Sequence, residues 1–288
     1  MKVGVENIFK CKGNEVASIP DKIIEEIGGT YEEINKDANK IVMLSKALKE
    51  EDDKGYCVLP FCHTLEAESF GSKITYDHKF GNRIKEPVLK DLSQVDELKD
   101  FDLNSGRIAE VLKAISILKD EGEDIVFDIT GPITTATSVI SSEAFFKAIR
   151  KDKDNVEKLL KIIEDNTVAY ILEGIKRGTT VISLADPAGT FDIVGPKIYR
   201  DFGGQTMYNI LKGIEGQLGD TVVHLCGKTS TSLKEIELLE TEEINVDGDR
   251  YIDMLKNAKK EKPDTKFTGN WCLKFPNKRK NLIACKLV

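Results

Sequence analysis

Short apolar runs alternate with longer helical patterns from about residue 55 onward. This alternation is typical of parallel strands joined by crossover helices. The predicted strands are Cys57–Phe61, Ile125–Ile129, Val181–Ala185, Val222–Cys226, Ile244–Val246 and Phe267–Thr268, with a weaker one over Val16–Ile19. These seven candidates predict an α/β fold, a (β/α)₈ TIM barrel that is truncated or missing its eighth strand, with functional groups at the carboxyl ends of the strands.

The chain has 288 residues, of which 40% are hydrophobic, so it can bury a substantial core. We predict a single barrel domain over 1–288. It comprises an N-terminal helical region with a weak first strand (1–54), the barrel core (55–270) and an atypical tail (271–288). The tail carries five basic residues and no acidic one, in contrast to the acidic body.

The net charge of −7 argues against nucleic acid or an anionic membrane as a partner. The sequence contains no run of about 18 apolar residues, which is the length that a membrane span requires. The opening residues also lack the apolar segment of a secretory signal. We therefore expect a soluble, cytoplasmic protein. Six cysteines in a chain of this length do not predict a disulfide framework, which leaves free thiols or metal ligands.

The most informative motif is the pair His224 and Cys226, which closes the apolar run that begins at Thr221. Side chains two apart on a strand share a face, so the imidazole and the thiol are expected to project together. Both groups are good zinc ligands, and a catalytic zinc needs three protein ligands. Two ligands do not make a site, and a packed pair without metal is the alternative.

Aspartates follow three of the predicted strands, at positions 128, 186 and 247. Each one alone is explained equally well as a cap of the next helix or turn. Four strands that end in Asp128, Asp186, the His-x-Cys pair and Asp247 are harder to explain in that way. We therefore predict that these residues line one polar pocket at the barrel mouth.

The chain resembles the uroporphyrinogen decarboxylase superfamily, and within it the zinc-dependent methylcobamide methyltransferases that act on thiols. The resemblance spans about 60 to 270 and is carried by five motifs: Pro60–Gly71, Gly131-Pro132 with a Thr-rich turn, Ala185-Asp186-Pro187 with Gly195-Pro196-Lys197, His224–Gly227, and Gly269-Asn270. The decarboxylases need no metal and hold their substrate's carboxylates with an arginine-rich N-terminal segment. No arginine precedes Gly55 here, which favours the methyltransferase branch.

This resemblance implies an open Zn²⁺ site that binds an acceptor thiol and favours its thiolate. The methyl group would come from a methylcobamide, usually delivered by a partner corrinoid protein. The acceptor would be a small thiol such as coenzyme M, with a folate as the alternative. Two further interpretations remain open: a metal-free uroporphyrinogen decarboxylase of porphyrin biosynthesis, and a degenerate barrel that binds a corrinoid protein without turnover.

In this scheme His224 and Cys226 are zinc ligands, and Asp128 and Asp186 are catalytic pocket residues. Substrate-binding roles are assigned to Asp247 and to Glu66, although Glu66 and Glu68 are also explained as carboxylates of a helix's first turn. We interpret His63 and His78 as ordinary loop histidines.

The chain departs from the family at the third zinc ligand, a cysteine on the eighth strand. Only eighteen residues follow Asn270. Cys272, just after the seventh strand, is the alternative ligand, whereas Cys285 is predicted to lie in a short helix; a two-ligand remnant is the third possibility. A missing strand exposes sheet edges, and we expect the tail to pack over the gap.

Overall fold

The computed structural model describes residues 5–11, 18–274 and 277–288. Its nine strands are β1 Cys57–Leu59, β2 Lys73–Thr75, β3 Arg83–Glu86, β4 Ile125–Thr130, β5 Val181–Ala185, β6 Val222–Cys226, β7 Leu239–Ile244, β8 Phe267–Trp271 and β9 Leu282–Leu287. The strands β2 and β3 form a separate antiparallel pair, and the other seven form one sheet.

Helices connect the parallel strands, as the alternating sequence pattern predicts. They are α1 Asp21–Ile27, α2 Tyr31–Asn35, α3 Ala38–Glu51, α4 Leu65–Ser69, α5 Gly106–Asp120, α6 Pro132–Val139, α7 Ser142–Lys151, α8 Lys153–Lys176, α9 Phe191–Val194, α10 Pro196–Ile198, α11 Gly204–Ile214, α12 Gly227–Glu235 and α13 Tyr251–Glu261. A π-helical turn, Tyr199–Gly203, joins α10 to α11, and 3₁₀ turns cover Val5–Asn7 and Leu92–Glu97. None of the described helices is long and apolar enough to span a membrane.

The large sheet has the strand order β1-β4-β5-β6-β8-β9-β7. Its first five strands run parallel, and β9 is antiparallel to both β8 and β7. The predicted α/β fold class is confirmed. The pairings of the described strands leave β1 and β7 at the two edges, so the sheet is open.

Two predictions about the carboxyl-terminal third are wrong. The strand predicted at Ile244–Val246 lies at Leu239–Ile244, where acidic residues alternate along a partly exposed edge and hide the strand pattern. The tail that contains Cys285 forms a strand and not a helix, because β8 has a free edge whose backbone groups the tail can satisfy. It does cover the edge of the sheet, as we expected. Of the predicted strand Val16–Ile19, residues 16 and 17 lie outside the described residues, and Ile19 lies outside the described strands.

Alternate residues of β4 pack into two different hydrophobic clusters, because successive strand side chains point to opposite faces. Ile125, Phe127 and Ile129 pack with apolar residues of α3, α5, α8 and α11. Val126 packs instead with the apolar side of α13, which contributes Tyr251, Ile252, Met254 and Leu255. The helix α13 therefore covers the face of β4 that is opposite to α3, α5, α8 and α11.

Candidate active site at the strand ends

A row of polar side chains crosses the sheet near the carboxyl ends of three strands. Asp128 of β4 pairs in register with Ser183 of β5, and Ser183 pairs with His224 of β6. The three side chains share the face that α13 covers, because Asp128 lies two residues after Val126 on the same strand. The Ser183 hydroxyl donates a hydrogen bond to the Asp128 carboxylate.

Asp128 is enclosed but not sealed, with 22% of its side chain exposed. Burial raises the pKa of its carboxyl group, and the nearby His63 ring and the Ser183 hydroxyl act in the opposite direction. Lys274, after β8, also lowers the pKa of Asp128 and that of Cys272. Lys274 is therefore close enough to act electrostatically on both the carboxylate and the thiol.

His63 lies among these strand-end groups, in the loop between β1 and α4. Its Nδ1 is 3.9 Å from Oδ2 of Asp128. Its charge also lowers the pKa of Glu66 and of Asp186. Sequence reasoning treated His63 as an ordinary loop histidine. The signal that could have found it is its position just after the first core strand, where barrel sites gather.

Glu66 is fully buried at the start of α4 and accepts two hydrogen bonds from Thr130. The Thr130 backbone N–H lies 2.8 Å from Oε1, and the Thr130 hydroxyl lies 2.7 Å from Oε2. Burial raises the pKa of Glu66, and these bonds oppose that shift. Glu66 thus ties α4 to the end of β4. Its substrate-binding role stays a prediction.

Asp186 follows β5 and is buried against the amino terminus of α6. Its carboxylate accepts hydrogen bonds from the backbone N–H groups of Ile133 (3.1 Å) and Thr134 (2.8 Å), and from the Thr134 hydroxyl (2.6 Å). A Cβ on Gly131 would come within 2.3 Å of the Asp186 side chain, so this approach requires glycine. This contact is to a helix that precedes Asp186 in the chain and not to the next helix that the capping alternative named, and the catalytic role of Asp186 stays a prediction. Burial raises the pKa of Asp186.

Asp247 is exposed and follows β7, which lies at the far edge of the sheet. Its backbone carbonyl accepts a hydrogen bond from Asn257. The structure does not bring Asp247 into the row of Asp128, Ser183 and His224, because β9 and β8 separate β7 from β6. A substrate-binding role for Asp247 stays a prediction.

His224 is 1% exposed, and its Nδ1 lies 3.3 Å from the Tyr251 hydroxyl of α13. The two rings meet edge to face at 5.6 Å between centroids. Burial lowers the pKa of His224 to about 3, so the ring is neutral in the folded protein at neutral pH.

This depressed pKa gives a pH-dependent stability. The unfolded state binds a proton at His224 below about pH 6.5, whereas the folded state does so only near pH 3, so stability falls as the pH drops. We expect the free energy of unfolding to fall by about 2 kcal/mol between pH 7 and pH 5 through this group. Urea titrations should show that His224→Gln removes this portion of the slope and His78→Gln retains it. An unchanged slope in His224→Gln contradicts the assignment.

Thiols gather at the ends of β6 and β8. The Sγ of Cys226 accepts backbone hydrogen bonds from Lys228 and Thr229 at the start of α12, and burial raises its pKa to about 11. Cys272 follows β8, is buried, and exchanges a hydrogen bond with the thiol of Cys11. Cys272 and Cys11 both lie near enough to Cys226 to raise its pKa. Cys285 lies within β9, in register with Thr241 and Phe267.

A β-bulge separates the neighbourhoods of His224 and Cys226. His224 pairs with Thr268, and Cys226 pairs with Trp271, so β8 carries one extra residue between these pairs. Asn270 in this bulge adopts a left-handed backbone conformation with φ of 58°. Bulges redirect side chains and are common beside active sites.

The predicted zinc ligands are thus brought together only in part. The thiols of Cys226 and Cys272 are neighbours and offer suitable donor chemistry for zinc. The Nδ1 of His224 is engaged by Tyr251. In the part of the chain that the structure describes, no three His, Cys, Asp or Glu side chains are grouped so that they could hold a metal ion. The placement of the side chains therefore does not fit a complete three-ligand site.

Comparison with known proteins identifies close matches in one family. The family model described as uroporphyrinogen decarboxylase (URO-D) matches residues 16–272. The methylcobamide:CoM methyltransferase MtbA of Methanosarcina mazei is 28% identical over 232 residues, which cover 78% of this chain and 67% of that protein. The methylcobamide:CoM methyltransferase MtaA of Methanosarcina barkeri is 28% identical over 239 residues, covering 81% and 68%.

A decarboxylase matches over a shorter range. The uroporphyrinogen decarboxylase of Wolbachia sp. subsp. Brugia malayi is 23% identical over 153 residues, covering 51% of this chain and 44% of that protein. Among solved structures, a methyltransferase from Methanosarcina mazei superposes with a TM-score of 0.65 at 24% identity, covering 81% of this chain and 69% of that one. This structural likeness supports the fold.

Proposed function

The chain belongs to the uroporphyrinogen decarboxylase family, and we propose that it is a methyltransferase that moves a methyl group from a methyl-corrinoid to a thiol acceptor such as coenzyme M. The observation that carries the proposal is the similarity to methylcobamide:CoM methyltransferases over about four fifths of the chain. The predicted family resemblance is thereby confirmed. A corrinoid protein is the proposed partner that delivers the methyl donor.

The charge at the strand ends supports this choice over porphyrinogen decarboxylation. Three carboxyl groups lie in this region: Asp128 is partly exposed, and Glu66 and Asp186 are buried. A substrate with many carboxylates needs cationic counter-ions, most effectively arginines. The buried Arg107 is already paired with Glu68 at 2.5 Å. A thiol acceptor with a single anionic group, such as coenzyme M, needs fewer counter-ions than a substrate with many carboxylates.

Several residues of the chain have separable roles in this proposal. Ser183 holds the Asp128 carboxylate, which lines the mouth and positions the acceptor. Asp186 fixes the start of α6 beside it, and Glu66 anchors α4. Together they keep the strand-end groups in place before the substrate arrives, which is how a rigid site lowers the barrier.

The proposal further includes a bound zinc ion at this site. Cys226 and Cys272 are the thiols that would hold it, and His224 is the third ligand that the family resemblance implies. A bound zinc ion would supply Lewis acidity that favours the thiolate form of the acceptor. The described side chains do not form a complete set of three zinc ligands. A measurement of bound zinc therefore distinguishes a zinc-dependent methyl transfer from a metal-free one.

We expect the purified protein to demethylate methylcobalamin in the presence of 2-mercaptoethanesulfonate, with the loss of the methyl–cobalt bond followed by absorbance. The expected effect of Cys226→Ser is a rate at least about tenfold lower, because a strand-end thiol is lost. Elemental analysis of the same samples should give about one zinc per chain, lost in Cys226→Ser, if the zinc site forms.

The matched control is Cys57→Ala, since Cys57 lies at the opposite end of the sheet, at the start of β1. It should retain both rate and metal. If the protein turns over without bound zinc, the proposed methyl transfer stands and the proposed zinc site is excluded. A folded protein that binds methylcobalamin and transfers its methyl group to no thiol would favour the non-catalytic barrel, and decarboxylation of uroporphyrinogen would favour the decarboxylase.

A further inference from the structure

We propose that His63 is the proton acceptor of this site and takes the proton of the acceptor thiol through its Nε2 while the sulfur is methylated; this role rests on the proposed function. The sulfur–hydrogen bond breaks, and its proton goes to His63. The sulfur–carbon bond forms with the sulfur's electron pair. The methyl–cobalt bond breaks, and its electron pair stays on cobalt. Solvent then removes the proton from the ring.

The orientation of the His63 ring supports this role. Nδ1 is buried, has no hydrogen-bond partner among the described residues, and faces Asp128 at 3.9 Å. In all, 38% of the side chain is exposed, and because Nδ1 is buried this exposure belongs to the rest of the side chain. A tautomer with its proton on Nδ1, facing the carboxylate, leaves the lone pair of Nε2 free to accept a proton. This is the relation between base and orienting acid in nucleophilic sites, where free enzymes often have long contacts.

The residues before and after His63 are both held by hydrogen bonds, which fixes the position of His63. The side chains of its neighbours Cys62 and Thr64 each accept a hydrogen bond from the Arg107 guanidinium, at 3.2 Å. Arg107 is in turn held by Glu68. The loop therefore presents His63 on a rigid support, as a group that must meet a reacting atom requires.

The charged groups that face His63 come from four elements. The carboxyl groups that interact electrostatically with His63 are Glu66 of α4, Asp128 of β4 and Asp186 after β5, and Lys274 after β8 acts on Asp128. The carboxylates would stabilise the imidazolium that forms during the transfer, because opposite charges attract strongly in a partly dehydrated site.

The other two histidines of the chain are committed elsewhere. His224 is buried against Tyr251. His78 pairs with Asp21 at 2.6 Å, beside the β2–β3 hairpin. His63 is therefore the histidine that the fold offers to a substrate at the strand ends.

The test uses the full-length protein with methylcobalamin and 2-mercaptoethanesulfonate. We expect His63→Asn and His63→Gln to lower kcat about 100-fold at pH 7 with little change in KM. The deficit should shrink as the pH rises past the pKa of the free thiol, because the thiolate then forms without a base. A merely structural role would not produce this pH dependence. His78→Asn is the control and should match the wild type.

A second readout does not depend on turnover. The chain has three histidines, so ¹⁵N-histidine spectra are simple to assign by comparison with His63→Asn. We expect His63 to be the Nδ1–H tautomer and its Nε2 signal to shift when the thiol is added.

The outcomes separate the two proposals. An active wild type with fully active His63 variants overturns the role of His63 alone, as does an Nε2–H tautomer that the thiol leaves unchanged. A wild type that transfers no methyl group to the thiol overturns the proposed function, and the role of His63 with it.

Discussion

Replacing Arg107 with methionine is expected to lower the free energy of unfolding by about 3–5 kcal/mol. The Arg107 side chain is 1% exposed and donates to four acceptors. They are Oε2 of Glu68 (2.5 Å), Sγ of Cys62 (3.2 Å), Oγ1 of Thr64 (3.2 Å) and Oδ1 of Asn35 (3.4 Å). The replacement takes a buried cation away from Glu68, which is 23% exposed, and leaves the three other acceptors without their donor, which costs more than the pair contributes.

The matched control is Arg177→Met, in which an arginine with 27% of its side chain exposed loses its partner Glu173. Such an exposed pair contributes less than about 1 kcal/mol. Urea denaturation of both variants at pH 7 makes the comparison. Equal losses would show that the Arg107 cluster is not a buried network. Because the loop that carries His63 depends on Arg107, the methionine variant should also lose methyl transfer activity before it unfolds.

The sequence identified the central strands because these are buried on both faces. Parallel strands such as β4, β5 and β6 consist of nearly continuous apolar residues, which the chain shows directly. Two strands gave no such signal. Glu240, Glu242 and Glu243 give β7 the appearance of a polar loop, and β9 is stabilised by pairing with strands distant in the sequence.

The candidate site was predictable only in part, for similar reasons. The sequence pattern placed Asp128 and His224 on core strands, and the structure has both residues within β4 and β6, with Cys226 at the end of β6. Strand alternation could not reveal that Tyr251 engages His224, or that a bulge lies opposite Cys226, since both depend on where α13 and β8 pack. The position of His63 just after β1 was the one available signal, and its distance to Asp128 could be known only from the fold.

Placing proline at Ala284 is expected to lower the free energy of unfolding by about 3 kcal/mol or more. Ala284 lies in β9 and pairs in register with Glu242 of β7 and with Thr268 of β8. Proline removes the backbone donor and is tolerated only at strand edges, whereas β9 has a partner on each side. The loss should reach the site, because β8 leads directly to Cys272, and amide exchange in β7 and β8 should accelerate.

The matched variant Ala284→Val keeps the backbone N–H and has a side chain that favours strands, so its stability should stay within about 1 kcal/mol of the wild type. The contrast between the two substitutions isolates the backbone hydrogen bond from the side chain. If both variants unfold at the same denaturant concentration, β9 does not lie between β7 and β8. If only the proline variant is destabilised and its thiol-dependent turnover falls in parallel, the pairing of β9 with β8 holds the carboxyl-terminal side of the site together.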